Sequence, residues 1–318
     1  MATKLKKYVI RPVRNFVLYL LIKSLFSLSI LVIRKPLVLW HKFLGQYIYY
    51  CCKSTRQIIL HNLKLVFKNE SYAGEFDKIG ERLYSNLGIT FTDYVRWSCH
   101  KSPKFFLKHF NIEGENNLRA AYTKGKGVLC LVTHTPGWEF SAFMPAMLGY
   151  KLHGVSARIN NPAINKMMIH MREVHGMHNI TRDHCYDQLC EVLRKGDCLI
   201  IMTDQDSLKI KGAFVDFLGI NAYTPIGCSR MQMETGAAVV PMYTVLNPDL
   251  TYSFIIEPEI DPIYTPDGKY DIVANTLAQN NRISATIRKY PDQWVWMHKR
   301  FSTTPEMLDE YLKMRGIK

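Results

Sequence analysis

Acidic residues are almost missing from the first part of this chain. Residues 1 to 70 hold thirteen Lys or Arg against a single acid, Glu70, so +12 of the formal net charge of +14 lies there. The other 248 residues are close to neutral, which places the basicity in an N-terminal module. A polybasic nucleic-acid arm is disfavoured, because such arms are not interleaved with Leu, Ile and Phe as this one is. Also missing is any C-x-x-C pair among the eight cysteines (51, 52, 99, 130, 185, 190, 198 and 228). Without a disulfide framework, and with Cys130 and Cys198 inside apolar runs, the chain reads as belonging to a reducing compartment. The histidines at 170, 175, 178 and 184 lack metal-ligand spacing and read as a solvated helix face. There is no G-x-S-x-G elbow, no internal repeat and no low-complexity tract.

What the N-terminal module does have is apolar length. Phe16 to Ile33 is broken by one charge, Lys23. As a helix its 18 residues would run about 27 Å, near the roughly 30 Å of a hydrocarbon core. A second apolar stretch, Pro36 to Cys52, is rich in Trp, Tyr and Phe, which suit the headgroup region. Basic residues flank the first run on both sides, so orientation is not specified, and a shallow interfacial anchor competes with a full span. The expected division is an anchor over residues 1–53 and a catalytic domain over 54–318.

The rest of the chain, 47% apolar overall and ample for a large core, alternates helix and strand patterns. Ser54 to Val95 reads as two helices with a break at Asn69-Glu70-Ser71. Gly127–Thr133, Leu152–Arg158, Asp197–Thr203, Ala238–Val245 and Tyr252–Glu257 read as strands. Between them Phe140–Leu148, Pro162–Val174, Tyr186–Leu193, Ser229–Glu234 and Ile272–Lys289 read as helices, with Trp294–Met297 an extended end piece. This alternation predicts an α/β fold, a layered αβα domain with a largely parallel central sheet, behind a membrane-anchoring segment.

In open α/β sheets ligands bind beyond the carboxyl ends of strands. Three strands end in chemically useful residues: His134, Arg158 and Asp204. The first begins a His-x4-Glu motif, His134 to Glu139, across the turn Thr135-Pro136-Gly137. A neutral imidazole can take a proton from a hydroxyl, and a carboxylate can hold the ring in the tautomer that does so. Five residues is too far for one helix face, so the pair meets only if His134 lies in the turn and Glu139 in the first helical turn. Asp204 reads as a residue that orients a neighbouring loop or an arginine, and Arg158 as a site residue or a structural ion pair.

These residues resemble the bacterial lipid A biosynthesis acyltransferases of the lauroyl/myristoyl type, within the lysophospholipid acyltransferase superfamily. The resemblance runs over most of the chain. Its points are the N-terminal anchor, His134 to Glu139, Arg158 with Asn161-Pro162, and Arg172 with Gly176. Further along come Thr203-Asp204-Gln205-Asp206, Gly212 to Gly219, Thr224 to Arg230, Thr235 to Pro241, and Gln293 to Phe301.

The resemblance implies transfer of an acyl chain to a glycolipid hydroxyl. The donor would be a thioester on acyl carrier protein or coenzyme A, with no further cofactor and no metal. The catalytic set would be His134 as the base, Glu139 as its orienter, Arg158 as the donor to the oxyanion, and Asp204. Arg300, Lys299, His298 and Arg230 would bind substrate. Trp294 and Trp296 read chiefly as core. The implied partners are the acyl donor, a glycolipid acceptor and a membrane, with no nucleic acid. The implied place is the cytoplasmic side of a bacterial inner membrane. Another glycolipid or lysophospholipid as acceptor, a membrane-bound lipid hydrolase and a non-catalytic scaffold remain alternatives.

Overall fold

The computed structural model describes residues 15–316 except 18, 21–22, 25–26, 28–30, 69–73, 99 and 183–184. The run from Phe16 to Ile33 lies partly outside the described residues, as does the break expected at Asn69-Glu70-Ser71. Among the described residues no helix is long and apolar enough to cross a membrane.

After the described helical positions 15–17, 19–20, 23–24, 27 and 31 come α1 (Arg34–Cys51), α2 (Lys53–Phe67) and α3 (Phe76–Trp97). α1 is thus a regular helix where the sequence suggested only an aromatic stretch, and it lies directly on α3. Two glycines set that approach. A Cβ on Gly45 would sit 2.2 Å from the Tyr84 carbonyl oxygen, and one on Gly88 would sit 2.3 Å from that of His41. Only hydrogen at both positions lets the two backbones touch. A bidentate ion pair, Arg34 to Asp93 with both contacts at 2.7 Å, ties the start of α1 to the end of α3.

The α/β body follows. It comprises α4 (Pro103–Leu107), β1 (Phe110–Glu113), α5 (Glu115–Tyr122) and β2 (Val128–Val132). Next are α6 (Trp138–Ser141), α7 (Met144–Met147), β3 (Leu152–Ser156), α8 (Pro162–Val174), β4 (Met177–Thr181), α9 (Tyr186–Arg194) and β5 (Cys198–Ile201). The chain continues through β6 (Gly212–Phe217), β7 (Ile220–Pro225), α10 (Gly227–Thr235), β8 (Ala238–Leu246) and β9 (Tyr252–Ile256). It ends in α11 (Ile272–Lys289) and α12 (Pro305–Met314).

The main sheet runs β1-β9-β8-β2-β5-β3-β4. β8, β2, β5, β3 and β4 are mutually parallel, while β9 and β1 run the other way. The expected mixed α/β architecture with a mostly parallel sheet is therefore present.

β2 shows why its sequence is apolar at every position. Leu129 and Leu131 enter the core under α2, α9 and α11, while Val128, Cys130 and Val132 enter the core on the other face. A strand covered on both sides cannot alternate with polar residues. α8 starts where Asn161 accepts from the Ala163 and Ile164 amides ahead of Pro162; α11 starts where Asp271 accepts from Ala274. Both are ordinary side-chain N-caps.

Three expectations are corrected. Phe140–Leu148 is two short turns, α6 and α7, because Pro145 restarts the chain after Ala142. Trp294–Met297 is a turn segment, held by the Trp296 amide on the Trp294 carbonyl. His175 lies in the core, bonded to the Met171 and His100 carbonyls and stacked on Phe143, whereas a solvated face was expected; His184 lies outside the described residues.

Candidate active site

β2 and β5 are neighbours in register, with Leu131 opposite Ile201. Three residues beyond each lie His134 and Asp204, so residues 70 apart in sequence arrive at one sheet edge side by side. The Asp204 carboxylate is fully buried and accepts three bonds. Its Oδ1 takes the His134 ring at Nδ1 (2.5 Å), and its Oδ2 takes the His134 backbone N–H (2.8 Å) and the Trp294 indole N–H (2.9 Å). Burial pushes the Asp204 carboxyl up, but the charge and hydrogen bond of His134 and the indole bond outweigh it, and the net direction is down.

An ionised carboxylate only accepts, so Nδ1 must carry a proton and Nε2 is left as the acceptor. Burial alone would lower the His134 pKa. The Asp204 charge and hydrogen bond, with a smaller lift from Glu139, leave it above the usual 6.5. The ring is 18% exposed, enough for one edge to be reached from outside.

The turn that carries His134 is fixed from below. Thr135 Oγ1 donates to the Thr244 carbonyl (2.7 Å), and the Ser141 and Thr244 hydroxyls are 2.8 Å apart. A Cβ on Gly137 would press on Thr244 at 2.7 Å, so that glycine permits the turn to lie on β8.

Glu139 does not orient His134, which corrects the sequence expectation. Arg172 of α8 holds it as a fork, Nε to Oε2 at 3.0 Å and Nη2 to Oε1 at 2.6 Å. The Trp138 indole (3.2 Å) and the Tyr94 hydroxyl (3.4 Å) also donate to it. A carboxylate so occupied braces the α6 turn against α8 and α3. Its field reaches the imidazole, and its hydrogen bonds go elsewhere.

Arg300, expected to meet substrate phosphates, is wholly buried. Its guanidinium lies 4.2 Å over the Phe217 ring and donates to the Tyr223 carbonyl (2.7 Å) and the Thr224 hydroxyl (2.6 Å). Burial pushes its pKa down to about 10. It pins the β6–β7 hairpin and reaches no solvent. Arg230 pairs with Glu234 (3.3 Å) and packs 4.7 Å over the Tyr186 ring, out on α9 and α10.

Lys299 is exposed and lines a cavity of about 300 Å³ with Ser54, Gln57, Ile58, His61, Asn62, Phe301 and Ser302. Asn62 closes its floor by donating to the Trp296 and His298 carbonyls. His298 is half-buried. Burial lowers its pKa, while Asp206 and Asp204 act the other way. Its Nδ1 is buried without a partner among the described residues.

Arg158 is exposed on the loop after β3 and has no hydrogen bond or ion pair among the described residues. Asp206 accepts from the Thr303 amide (2.9 Å) and hydroxyl (2.7 Å), which draws the C-terminal segment across the site.

Sequence reasoning had Arg172 only as a point of the family resemblance, without a role, and missed Tyr94 and the Trp294 indole as parts of this site. No spacing rule connects them to His134; only the sheet register and the packing of α8 and α3 do. Cys130, a poor nucleophile by its apolar setting, is fully buried, and its thiol is pushed up by the Cys198 contact and by burial. Among the described residues no cluster of three His, Cys, Asp or Glu could hold a metal.

Fold and site together define an α/β enzyme with an imidazole–carboxylate pair at adjacent strand ends. The sequence profile described as bacterial lipid A biosynthesis acyltransferase matches residues 4–303, and the chain belongs to that family. It is 26% identical over 267 residues to the lipid A biosynthesis palmitoleoyltransferase of Escherichia coli (strain K12), covering 80% of each chain. It is 24% identical over 270 residues to the lipid A biosynthesis lauroyltransferase of the same organism, covering 80% of this chain and 81% of that one. A phosphatidylinositol mannoside acyltransferase of Mycobacterium tuberculosis (strain CDC 1551 / Oshkosh) is 27% identical over 191 residues, covering 58% of this chain and 57% of that one. The protein is an O-acyltransferase of this family.

Proposed function

We propose that the protein moves a fatty acyl chain from a thioester, on acyl carrier protein or coenzyme A, to a hydroxyl of a lipid A precursor. The observation that carries the reading is the His134–Asp204 pair, which leaves Nε2 free to accept. His134 takes the acceptor hydroxyl proton as that oxygen attacks the thioester carbonyl. The C–O bond forms, the C–S bond breaks, and the proton passes to the leaving thiolate. Such base assistance is worth about 10²–10⁴-fold.

Asp204 holds the tautomer and stabilises the imidazolium. Arg158, exposed and without a hydrogen-bond or ion-pair partner among the described residues, is the donor proposed for the developing oxyanion, a role worth roughly 3–4 kcal/mol. Lys299, which lines the 300 Å³ cavity, and its chain neighbour His298 are the groups proposed for the acceptor headgroup. Relatives named for lipid A support that acceptor class, and the relatives named for phosphatidylinositol mannosides support a second glycolipid reading. The lipid acceptor and the basic, apolar N-terminal module support a place at the cytoplasmic face of the inner membrane.

Mass spectrometry of the glycolipids from cells with and without the gene tests the reading. A lipid A species lacking one secondary acyl chain in the deletion strain is expected. Unchanged lipid A with a changed different glycolipid would move the acceptor. Free fatty acid as the only product of the purified enzyme would replace transfer by hydrolysis.

A further inference from the structure

A second cavity, of about 230 Å³, is lined by Arg34, Arg96, Trp97, His100, Phe105 and His109. Among the described residues no carboxylate lines it. The nearest acid with a bond to a lining residue is Asp93, which is fully buried and already shared between Arg34 and the Tyr252 hydroxyl (2.9 Å). Its walls are preset by ring contacts. His100 stacks on Phe105 at 3.7 Å and 12°, and Trp97 meets His109 at 4.7 Å. Arg34 lies 5.6 Å over Trp97, and Arg96 is held by the Val32 carbonyl. Close in sequence to the lining residues, Lys35, Lys101, Lys104 and Lys108 are exposed, and from Tyr94 to Ile112 there is no acidic residue.

Its position is as informative as its chemistry. β1 runs opposite to β2, because β1 and β9 are parallel, β9 and β8 antiparallel, and β8 and β2 parallel. His109, just before β1, therefore lies at the same sheet edge as His134, just after β2. Beside the cavity, α1 buries Val38, Gly45 and Tyr49 and turns Trp40 (65% exposed), Phe43 (62%) and Tyr47 (68%) outward. Those three recur at i, i+3 and i+7, one stripe opposite the packed face. Leu31 and Ile33 stand exposed next to Arg34.

We propose that this cavity seats the phosphate of an anionic phospholipid headgroup, with the Trp40–Phe43–Tyr47 stripe lying in the same bilayer surface. Apolar and aromatic side chains beside a carboxylate-free cationic cavity match the layering of a bilayer, acyl chains under phosphates. The absence of acids from residues 1–69 makes the bilayer the complementary occupant of the stripe. The geometry also explains how an active site without a spanning helix among the described residues would face a lipid. The inference rests on the reading that the acceptor is a lipid, and it adds which face meets the membrane.

Sedimentation of the purified full chain with vesicles tests it without any acyl donor, so a wrong acceptor assignment would leave the result untouched. The vesicles are phosphatidylcholine alone or mixed with phosphatidylglycerol. Binding is expected to be stronger with phosphatidylglycerol. Arg96→Gln with His100→Gln is expected to weaken only that extra binding, by roughly fivefold for the guanidinium lost. Lys101→Gln with Lys104→Gln, both exposed and next in sequence to lining residues, does the same if the first pair fails to fold. Trp40→Ala with Phe43→Ala is expected to weaken binding to both vesicle types.

Equal binding of both cationic variants and the unmodified protein to phosphatidylglycerol vesicles would overturn the headgroup site. Unchanged vesicle binding by the aromatic variant would overturn the stripe: with an altered oligomeric state it would make the stripe a contact between copies, and with a lowered Tm it would make it a seat for the chain's own N-terminal residues. Inorganic phosphate abolishing the binding of phosphatidylglycerol vesicles as fully at low as at high vesicle concentration would assign the cavity to a free anion.

Discussion

Asp204 grips His134 at two points, Oδ1 on the ring Nδ1 and Oδ2 on the backbone amide of the same residue. One carboxylate therefore fixes both where the imidazole sits and which nitrogen carries its proton. The third bond, from the Trp294 indole, ties this pair to the C-terminal segment.

Asp204→Asn keeps the size of the side chain and removes its charge. An amide can accept at one oxygen only and offers N–H at the other position, so the Nδ1 proton and the backbone amide compete for one acceptor. Turnover is expected to fall about 10²–10⁴-fold, with the KM for the acyl donor within a few-fold. Steady-state kinetics on the purified enzyme, beside a circular dichroism spectrum, checks this.

Arg172→Met leaves the Glu139 carboxylate, 16% exposed, without its guanidinium. Breaking one side of such a pair costs about 3–5 kcal/mol. The double variant Glu139→Leu/Arg172→Met is expected to recover much of that loss, since no charge is stranded. Chemical denaturation of these two variants and of Glu139→Leu alone measures the coupling. Equal losses in the single and double variants would mean the pair braces nothing.

Arg300→Met tests the corrected role of that arginine. It removes one donor to the Tyr223 carbonyl and one to the Thr224 hydroxyl, which keeps its bond from Asn280, and a stability loss of about 1–3 kcal/mol is expected. The KM for the acceptor should stay within a few-fold once folded protein is compared. A large rise in that KM with unchanged Tm would restore the phosphate-binding reading.

Much of the fold was legible because the central strands are buried on both faces. Val128–Val132 and Ala238–Leu246 are buried at every position and announce themselves as apolar runs. β4, Met177–Thr181, is an edge strand with exposed His178 and Thr181, so its polar pattern hides it. β1, Phe110–Glu113, is the other edge and equally quiet.

The site divided in the same way. His134 and Asp204 could each be read as a strand-end residue, because apolar runs stop just before them. Their pairing could not, since it depends on Leu131 and Ile201 sharing a register. Glu139, close in sequence, looked like the partner; Arg172, on a helix 33 residues away, had already taken it. Arg300 sat in a cluster with Lys299 and His298 that reads as a charged face, and only the hairpin folding over it shows that it is core.

The central claim, that His134 is the base and Asp204 its partner, is tested most directly by the pH dependence of kcat/KM. The base works as neutral imidazole, so activity should rise with pH and level off above the His134 pKa. Asp204 raises that pKa above 6.5, and Glu139 adds a smaller lift. The account predicts a midpoint above 6.5 in the unmodified enzyme, a clear fall of the midpoint with a much lower plateau in Asp204→Asn, and a smaller fall in Glu139→Gln. A midpoint that moves more in Glu139→Gln than in Asp204→Asn would contradict it.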